Sequence, residues 1–309
     1  MIPVNSVLQV GQFPEVMQMA IDQRITPVRY PDLNANIPPG SYESILIRSN
    51  TQLPIQLLEK LPSVKMVATC GVGYDNLPLD YLKEKGIQAS NTPGVLNDAV
   101  CELAIGMLFG LLRRIPQAHE FVKSSAWSKG LFTVTTTLAG KQVGIAGMGR
   151  IGQDLAKRLE PFKVKIAYTG PSRKELPYEY FPDIKSLANS SDILFLACPA
   201  TPETEKMVDA QVLKALGPQG YLINIARGSV VDETALLVAL QQKGIAGAAL
   251  DVFENEPNPN PGFLNIDNVL LTPHIGSATS ETRQLMTNLA IDNLEAFYNK
   301  KPLLTKVQN

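Results

Sequence analysis

Three residues in the last third of the chain have the side-chain types that proton delivery to an oxygen requires, and they stand at equivalent places. Arg227 follows the apolar run GYLINIA, Glu256 follows AALDVFEN, and His274 follows NVLLTP. Histidine suits the proton step because imidazole titrates close to neutrality, and a neighbouring carboxylate favours the imidazolium. In that arrangement His274 is the acid and Glu256 its tuner. Arginine holds a carboxylate or keto oxygen through a planar fork that lysine does not offer. Taken singly, each has an ordinary reading as a surface cap or a solvated loop residue; three at successive strand ends converge on one chemistry. His119, inside RRIPQAHEF, reads as structural or exposed.

A glycine loop upstream supplies the partner for that chemistry. VGIAGMGRIG (143–152) places GxGxxG after a β-branched run and before a segment with helical spacing of Ile151, Leu155 and Leu159. In this setting Gly147 permits the tight turn, Gly149 removes a Cβ where backbone approaches a pyrophosphate, and Gly152 lets helix and strand pack closely. The helix N-terminus then presents unpaired N–H groups to the phosphates. NAD enzymes usually carry an acid about 20 residues on for the ribose 2′-hydroxyl. This chain has AYTGPSRK (167–174) there, with no acid, and Ser172, Arg173 and Lys174 offer a hydroxyl and two cations for a 2′-phosphate. The expected cofactor is NADPH, with NADH the weaker alternative.

The elements that position these residues form two series of apolar runs alternating with amphipathic stretches, the pattern of βαβ units around a parallel sheet. The first comprises 6–11, 25–30, 44–50, 66–71 and 87–92; the second comprises 142–147, 164–170, 192–199, 220–228, 247–254 and 268–276. About six strands in the second series suit a Rossmann-type sheet. One long helix from Asn97 to about Lys123 is expected as the crossover between domains, and a last helix, Ser280 to Asn299, returns to the first domain. The expected fold is α/β with two Rossmann-like parallel-sheet domains. A flavodoxin-like substrate domain takes 1–96 and 282–309, and an NAD(P)-binding Rossmann domain takes 97–281. NEPNPNPG (255–262) reads as a rigid surface loop.

Composition narrows the ligand class. The 309 residues allow two ordinary domains, and 28 Lys+Arg against 29 Asp+Glu leave a net charge of -1, with no basic field for nucleic acid or an anionic membrane. The most apolar stretch, 99–112, contains Glu102 and is shorter than the roughly 20 residues a span needs. The N-terminus lacks the features of a secretory signal, so a cytoplasmic location is expected. Cys70, Cys101 and Cys198 have no CxxC spacing, and with only His119 and His274 as histidines the expected chemistry is metal-free.

The segments CGVGYDN (70–76), SNTPGVL (90–96), GMGRIG (147–152), CPATPET (198–204), INIARGSVVDE (223–233), ALDVFENEP (249–257) and LTPHIGSAT (271–279) resemble the signatures of the D-isomer-specific 2-hydroxyacid dehydrogenases. The likeness runs from about Ser44 to Pro302 and is strongest to NADPH-dependent glyoxylate/hydroxypyruvate reductases, including the hydroxyphenylpyruvate reductase type. It implies that Arg227, Glu256 and His274 are the catalytic set, and that the backbone N–H groups of Val72 and Gly73 bind the substrate carboxylate. It implies that Ser49 lines the substrate end of the cleft. Beyond the loop Gly147, Met148, Gly149, Arg150, Ile151 and Gly152, it assigns Cys198, Pro199, Ile225, Ala226, Arg227, Asp251, His274 and Gly276 to the cofactor. Related reductases often carry arginine where this chain has Pro171, so the 2′-phosphate depends on Ser172, Arg173 and Lys174.

The implied reaction is reduction of a small 2-keto acid to the D-2-hydroxy acid, with hydride from NADPH and a proton from His274. The family implies a homodimer, with Leu131 and Phe132 where a partner residue can close the pocket, and domain closure about residues near 97 and 281. A 2-ketoaldonate (2-ketogluconate) reductase is the alternative within the fold. Phosphoglycerate dehydrogenase, whose commonest forms prefer NAD, and a nucleotide-sensing corepressor-like binding protein, usually tailed, fit the chain less well.

Overall fold

The computed structural model describes residues 2–307. They fall into two compact units, Met1–Leu96 with Ser277–Asn309, and Asn97–Gly276.

The first unit opens with β1 (Val7–Val10), α1 (Glu15–Asp22), β2 (Val28–Tyr30), β3 (Ser44–Arg48), α2 (Ile55–Glu59), β4 (Met66–Cys70), α3 (Leu79–Glu84) and β5 (Gln88–Ser90). All strand pairs are parallel and run in the order β2-β1-β3-β4-β5, the flavodoxin-like order. SILIR and MVATC are nearly continuous apolar runs because both faces of the sheet are covered. Side chains alternate with period two, so Ile45, Ile47 and Val67 pack with Leu57, Leu58 and Leu82 on one face. Pro14, Pro54 and Pro78 stand just before α1, α2 and α3, where a fixed φ and a missing N–H cost the helix nothing.

The second unit begins with two helices, α4 (Asn97–Leu112) and α5 (Ile115–Lys123), where the sequence reading expects one. Pro116 has no N–H for the Leu112 carbonyl and its ring would strike that turn. The carbonyl accepts from Thr136 N instead, at 3.1 Å, and Arg114 turns left-handed with φ +50°. The chain continues through β6 (Gln142–Ala146), α6 (Arg150–Leu159), β7 (Lys165–Thr169), β8 (Glu179–Tyr180), α7 (Ile184–Asn189) and β9 (Ile193–Leu196). It ends with α8 (Ala210–Leu216), β10 (Tyr221–Asn224), α9 (Glu233–Gln241), β11 (Gly247–Leu250) and β12 (Val269–Leu271). The parallel sheet runs β12-β11-β10-β9-β6-β7-β8. Its seventh strand is the two-residue β8, too short to carry a hydrophobic pattern.

The order reverses between β6 and β9. Their carboxyl ends form the crevice where open α/β sheets bind ligands. The last helix, α10 (Ser280–Tyr298), belongs to the first unit and packs on α1 and β4. Ala290, Ile291 and Leu294 meet Met17, Ile21, Leu46 and Met66 there, covering the sheet's other face. Among the described residues no helix is long and apolar enough to cross a membrane, and no group of His, Cys, Asp or Glu is placed to hold a metal ion.

Candidate active site

The glycine loop fills the switch point of the second unit. Gly147 has φ +99°, and a Cβ there would lie 2.5 Å from the Cys198 nitrogen, so the loop lies against the segment following β9. A Cβ on Gly152 would collide with the Gly147 carbonyl, whereas one on Gly149 would meet nothing within 4 Å. Gly149 caps α6 and is exposed, as is Arg150; Met148 is buried and Ile151 half-buried. An open position in front of the unpaired N–H groups of α6 is what a pyrophosphate requires, and the residues present fit a dinucleotide. Cys198 and Pro199 lie on the facing loop, which Thr204 closes by donating its hydroxyl to the Pro199 carbonyl at 2.8 Å. Burial pushes the Cys198 thiol up to about 11, so it is a neutral wall residue.

The segment after β7 folds back on this loop. Buried Tyr168 places its hydroxyl on the Lys174 backbone, accepting from N at 2.7 Å and donating to O at 3.1 Å. Lys174 Nζ donates to the Met148 carbonyl at 2.8 Å. Ser172 and Arg173 are exposed at the tip. Of the three residues expected to meet a 2′-phosphate, Lys174 therefore fixes the loop and Ser172 and Arg173 present outward donors.

His274 and Glu256, each placed beyond a strand end, come into contact. His274 Nδ1 is 2.6 Å from Glu256 Oε2, with side chains 33% and 29% exposed. Glu256 Oε1 accepts from Phe253 N at 3.1 Å. Burial pushes the Glu256 carboxyl up, but the bond and charge of His274, the Phe253 N–H and the Arg227 charge outweigh it and hold the group below its ordinary value. Arg227 is half-buried, and its Nη1 donates to the Ala226 carbonyl at 2.9 Å. Gly228 lies against the Phe253–Glu254 backbone so tightly that a Cβ would overlap it. That contact sets the loop after β10 beside the loop carrying Glu256.

Buried polar residues hold these loops. Asp251, at the end of β11, accepts from Thr272 Oγ1 at 2.7 Å, Ile275 N at 2.8 Å and Gly276 N at 2.9 Å. Its backbone carbonyl accepts from His274 N at 2.8 Å, and His274 sits at φ +52°. Burial raises the Asp251 carboxyl above its ordinary value despite those donors. Asn224 accepts from Ala226 N at 3.0 Å and donates to the Arg227 carbonyl at 2.9 Å, flanking half-buried Ile225. Glu233 accepts from Glu254 N at 2.8 Å. Sequence reasoning missed Asn224, Glu233 and Thr272. The available signal was a polar residue at a buried strand end, as in the Asn224 of INIARG.

In the first unit, Ser49 N donates to the Cys70 carbonyl at 3.3 Å, and a Cβ on Gly71 would overlap Ser49 Oγ. Thr92 and Asn91 fix the next turn: Gly71 N donates to Thr92 Oγ1 at 2.9 Å, and Asn91 Nδ2 to the Val72 carbonyl at 2.7 Å. Val72 and Gly73 are half-buried. Among the described residues their N–H groups have no acceptor, leaving a pair of donors suited to a carboxylate. His119 is exposed on α5.

A glycine-cradled helix N-terminus beside a histidine–carboxylate pair and an arginine defines a dinucleotide-dependent oxidoreductase. Residues 105–276 match the family described as D-isomer specific 2-hydroxyacid dehydrogenase, NAD binding domain. The chain belongs to the D-isomer-specific 2-hydroxyacid dehydrogenases. It is 45% identical over 269 residues to a glyoxylate/hydroxypyruvate reductase of Arabidopsis thaliana, covering 87% of this chain and 86% of that one. It is 40% identical over 304 residues to a 2-ketogluconate reductase of Gluconobacter oxydans, covering 97% and 98%. The solved NADPH-dependent glyoxylate/hydroxypyruvate reductase of Sinorhizobium meliloti, in complex with NADP and malonate, superposes with a TM-score of 0.93 at 39% identity, over 98% of this chain and 97% of that one.

Proposed function

We propose that the protein is an NADPH-dependent reductase of small 2-keto acids, glyoxylate and hydroxypyruvate among them, yielding D-2-hydroxy acids. The observation that carries this reading is the His274–Glu256 pair beside Arg227, in the same unit as the glycine loop. Bound NADPH supplies the hydride received by the keto carbon. With Nδ1 committed to Glu256, His274 gives its proton to the keto oxygen from Nε2. Arg227 polarises that oxygen and orients the carboxylate. In the first unit, the N–H groups of Val72 and Gly73 are the donors suited to a substrate carboxylate, and Ser49 backs their loop. Gly147, Gly149 and Gly152 admit the pyrophosphate, while Ser172 and Arg173 bind the 2′-phosphate with Lys174 holding their loop in place.

The test follows NADPH absorbance with glyoxylate, hydroxypyruvate, hydroxyphenylpyruvate and 2-ketogluconate. Oxidation with the two smallest acids is the expected result. No oxidation with any of them would overturn the reading in favour of a binding module. The near full-length likeness to a 2-ketogluconate reductase keeps the longer sugar acid as the second reading, and its rank in the same assay decides it.

A cytoplasmic homodimer is part of the proposal. Trp127, Leu131 and Val134 are 66%, 94% and 95% exposed, an apolar run that single surface residues do not produce. Phe132 stacks edge-on against Phe121 of its own chain, 5.3 Å between ring centres, so Leu131 is the one of the pair free to reach a partner. Light scattering on the purified protein checks the mass.

A further inference from the structure

Among the described residues, two arginines of the first unit have no carboxylate partner. Arg48 ends β3 in register with Cys70, which ends β4 and leads into the Gly71–Gly73 loop. Arg283 lies in the first turn of α10, the helix that packs on β4. Both residues are half-buried, and the positive charge of each acts on the Cys70 thiol. Three half-buried or exposed arginines meet carboxylates: Arg24 meets Asp292 at 2.7 Å and Glu295 at 2.9 Å, Arg29 meets Asp22 at 2.7 Å, and Arg158 meets Asp98. Among the described residues Arg48 and Arg283 meet none. Arg48 Nη1 donates to the Gln12 carbonyl at 3.2 Å, a neutral acceptor.

Cys70 is no counter-ion, because burial pushes its thiol up to about 12 even with two guanidinium groups near it. Burial also holds both arginines below their ordinary range, and the charge of Arg48 lowers Arg283 further. Guanidinium stays protonated in proteins, so two like charges in a half-buried place await an anion. Their position says which anion. Arg48 immediately precedes Ser49, and Cys70 precedes the loop whose N–H groups take the substrate carboxylate in the reading above. Arg48 therefore stands at the strand ends that carry that carboxylate site, with Arg283 on the helix that packs on β4.

We infer that Arg48 and Arg283 form a second anion subsite, which takes the distal carboxylate of a short 2-keto dicarboxylic acid. The inference rests on the reductase reading and specifies its substrate class. A single guanidinium fork spans the two oxygens of a carboxylate, the geometry in which arginine is strongest, and the second guanidinium adds charge to hold it. Glyoxylate has no second acid group to place there. Distal hydroxyls of a sugar acid would use the donors but leave the charge unanswered.

The test compares kcat/KM for ketomalonate, oxaloacetate and glyoxylate in wild type, Arg48→Gln and Arg283→Gln. In each variant the ketomalonate-to-glyoxylate ratio should fall about tenfold or more, chiefly through KM, as expected for loss of one charge-assisted hydrogen bond. Arg48→Lys, which keeps the charge and loses the fork, should fall between. Thermal stabilisation by malonate, with formate as the single-carboxylate control, reads the subsite without turnover and should drop in both glutamine variants. Malonate stabilisation that depends on the arginines in a protein that reduces no keto acid would keep the subsite and sink the reductase reading. Glyoxylate reduction with an unchanged ratio and an unchanged malonate shift would overturn the subsite. Equal loss for all three acids would overturn it too, by assigning the pair to the shared carboxylate. Melting curves without ligand separate each of these outcomes from misfolding.

Discussion

His274 Nδ1 and Glu256 Oε2 stand 2.6 Å apart, which fixes the roles of the two imidazole nitrogens. An ionised carboxylate only accepts hydrogen bonds, so Nδ1 carries the proton shared with Glu256 and Nε2 is the nitrogen left to act as donor in the proposed reaction. Replacing the ring removes the donor while leaving the glycine loop untouched. His274→Ala should lower kcat by about 10²–10⁴-fold with little change in NADPH affinity, read by nucleotide fluorescence titration. A variant with wild-type turnover would remove His274 from the proton step.

Glu256 ties the site to stability at low pH. The folded protein holds its carboxyl below the ordinary 4.5, so the stability it contributes is present above 4.5 and is lost as pH falls through the folded value. Wild type should therefore melt above Glu256→Gln at neutral pH, with the gap closing as pH is lowered below 4.5. Melting curves of both proteins from pH 7 to pH 3 test this. A gap that widens on acidification would reverse the sign of the linkage.

Legibility in the sequence divided along physical lines. Strand ends were readable because buried parallel strands are unbroken apolar runs, so Arg227, Glu256 and His274 could be placed before any contact was known. The break between α4 and α5 was written in Pro116, but the amphipathic spacing on either side masked it. Loop-holding contacts were not readable, since Asp251 reaches Gly276 and Glu233 reaches Glu254 across more than twenty positions. Sequence spacing carries no record of such approaches. Lys174 shows the same limit in one side chain: its charge suggested a phosphate, and the fold directs its ammonium to the Met148 carbonyl.

In the proposed function, Arg173 is the residue that separates the two nicotinamide cofactors. It is exposed at the tip of the loop that Lys174 and Tyr168 secure, and the only group on NADPH that NADH lacks is the 2′-phosphate. Arg173→Ala should raise KM for NADPH about tenfold, the low end for a charged hydrogen bond because the site is wet, and change KM for NADH less than threefold. The NADPH effect should shrink at high salt. Equal changes for both cofactors would contradict the assignment.

Asp251 governs the loop that aims His274. Its carboxylate accepts from one hydroxyl and two backbone N–H groups, and it is buried. Asparagine has one acceptor oxygen and an amino group that donates, so Asp251→Asn turns a donor toward at least one of Ile275 N, Gly276 N and Thr272 Oγ1. Leaving such a donor unpaired costs about 1–3 kcal/mol, measured as a lower midpoint in urea. The same change should reduce kcat about tenfold or more, because His274 N is anchored to the Asp251 carbonyl and its left-handed backbone is held by this loop. NADPH binding through Gly147–Gly152 should persist. Full stability and full turnover in Asp251→Asn would show that the three hydrogen bonds are dispensable and that another element holds the histidine.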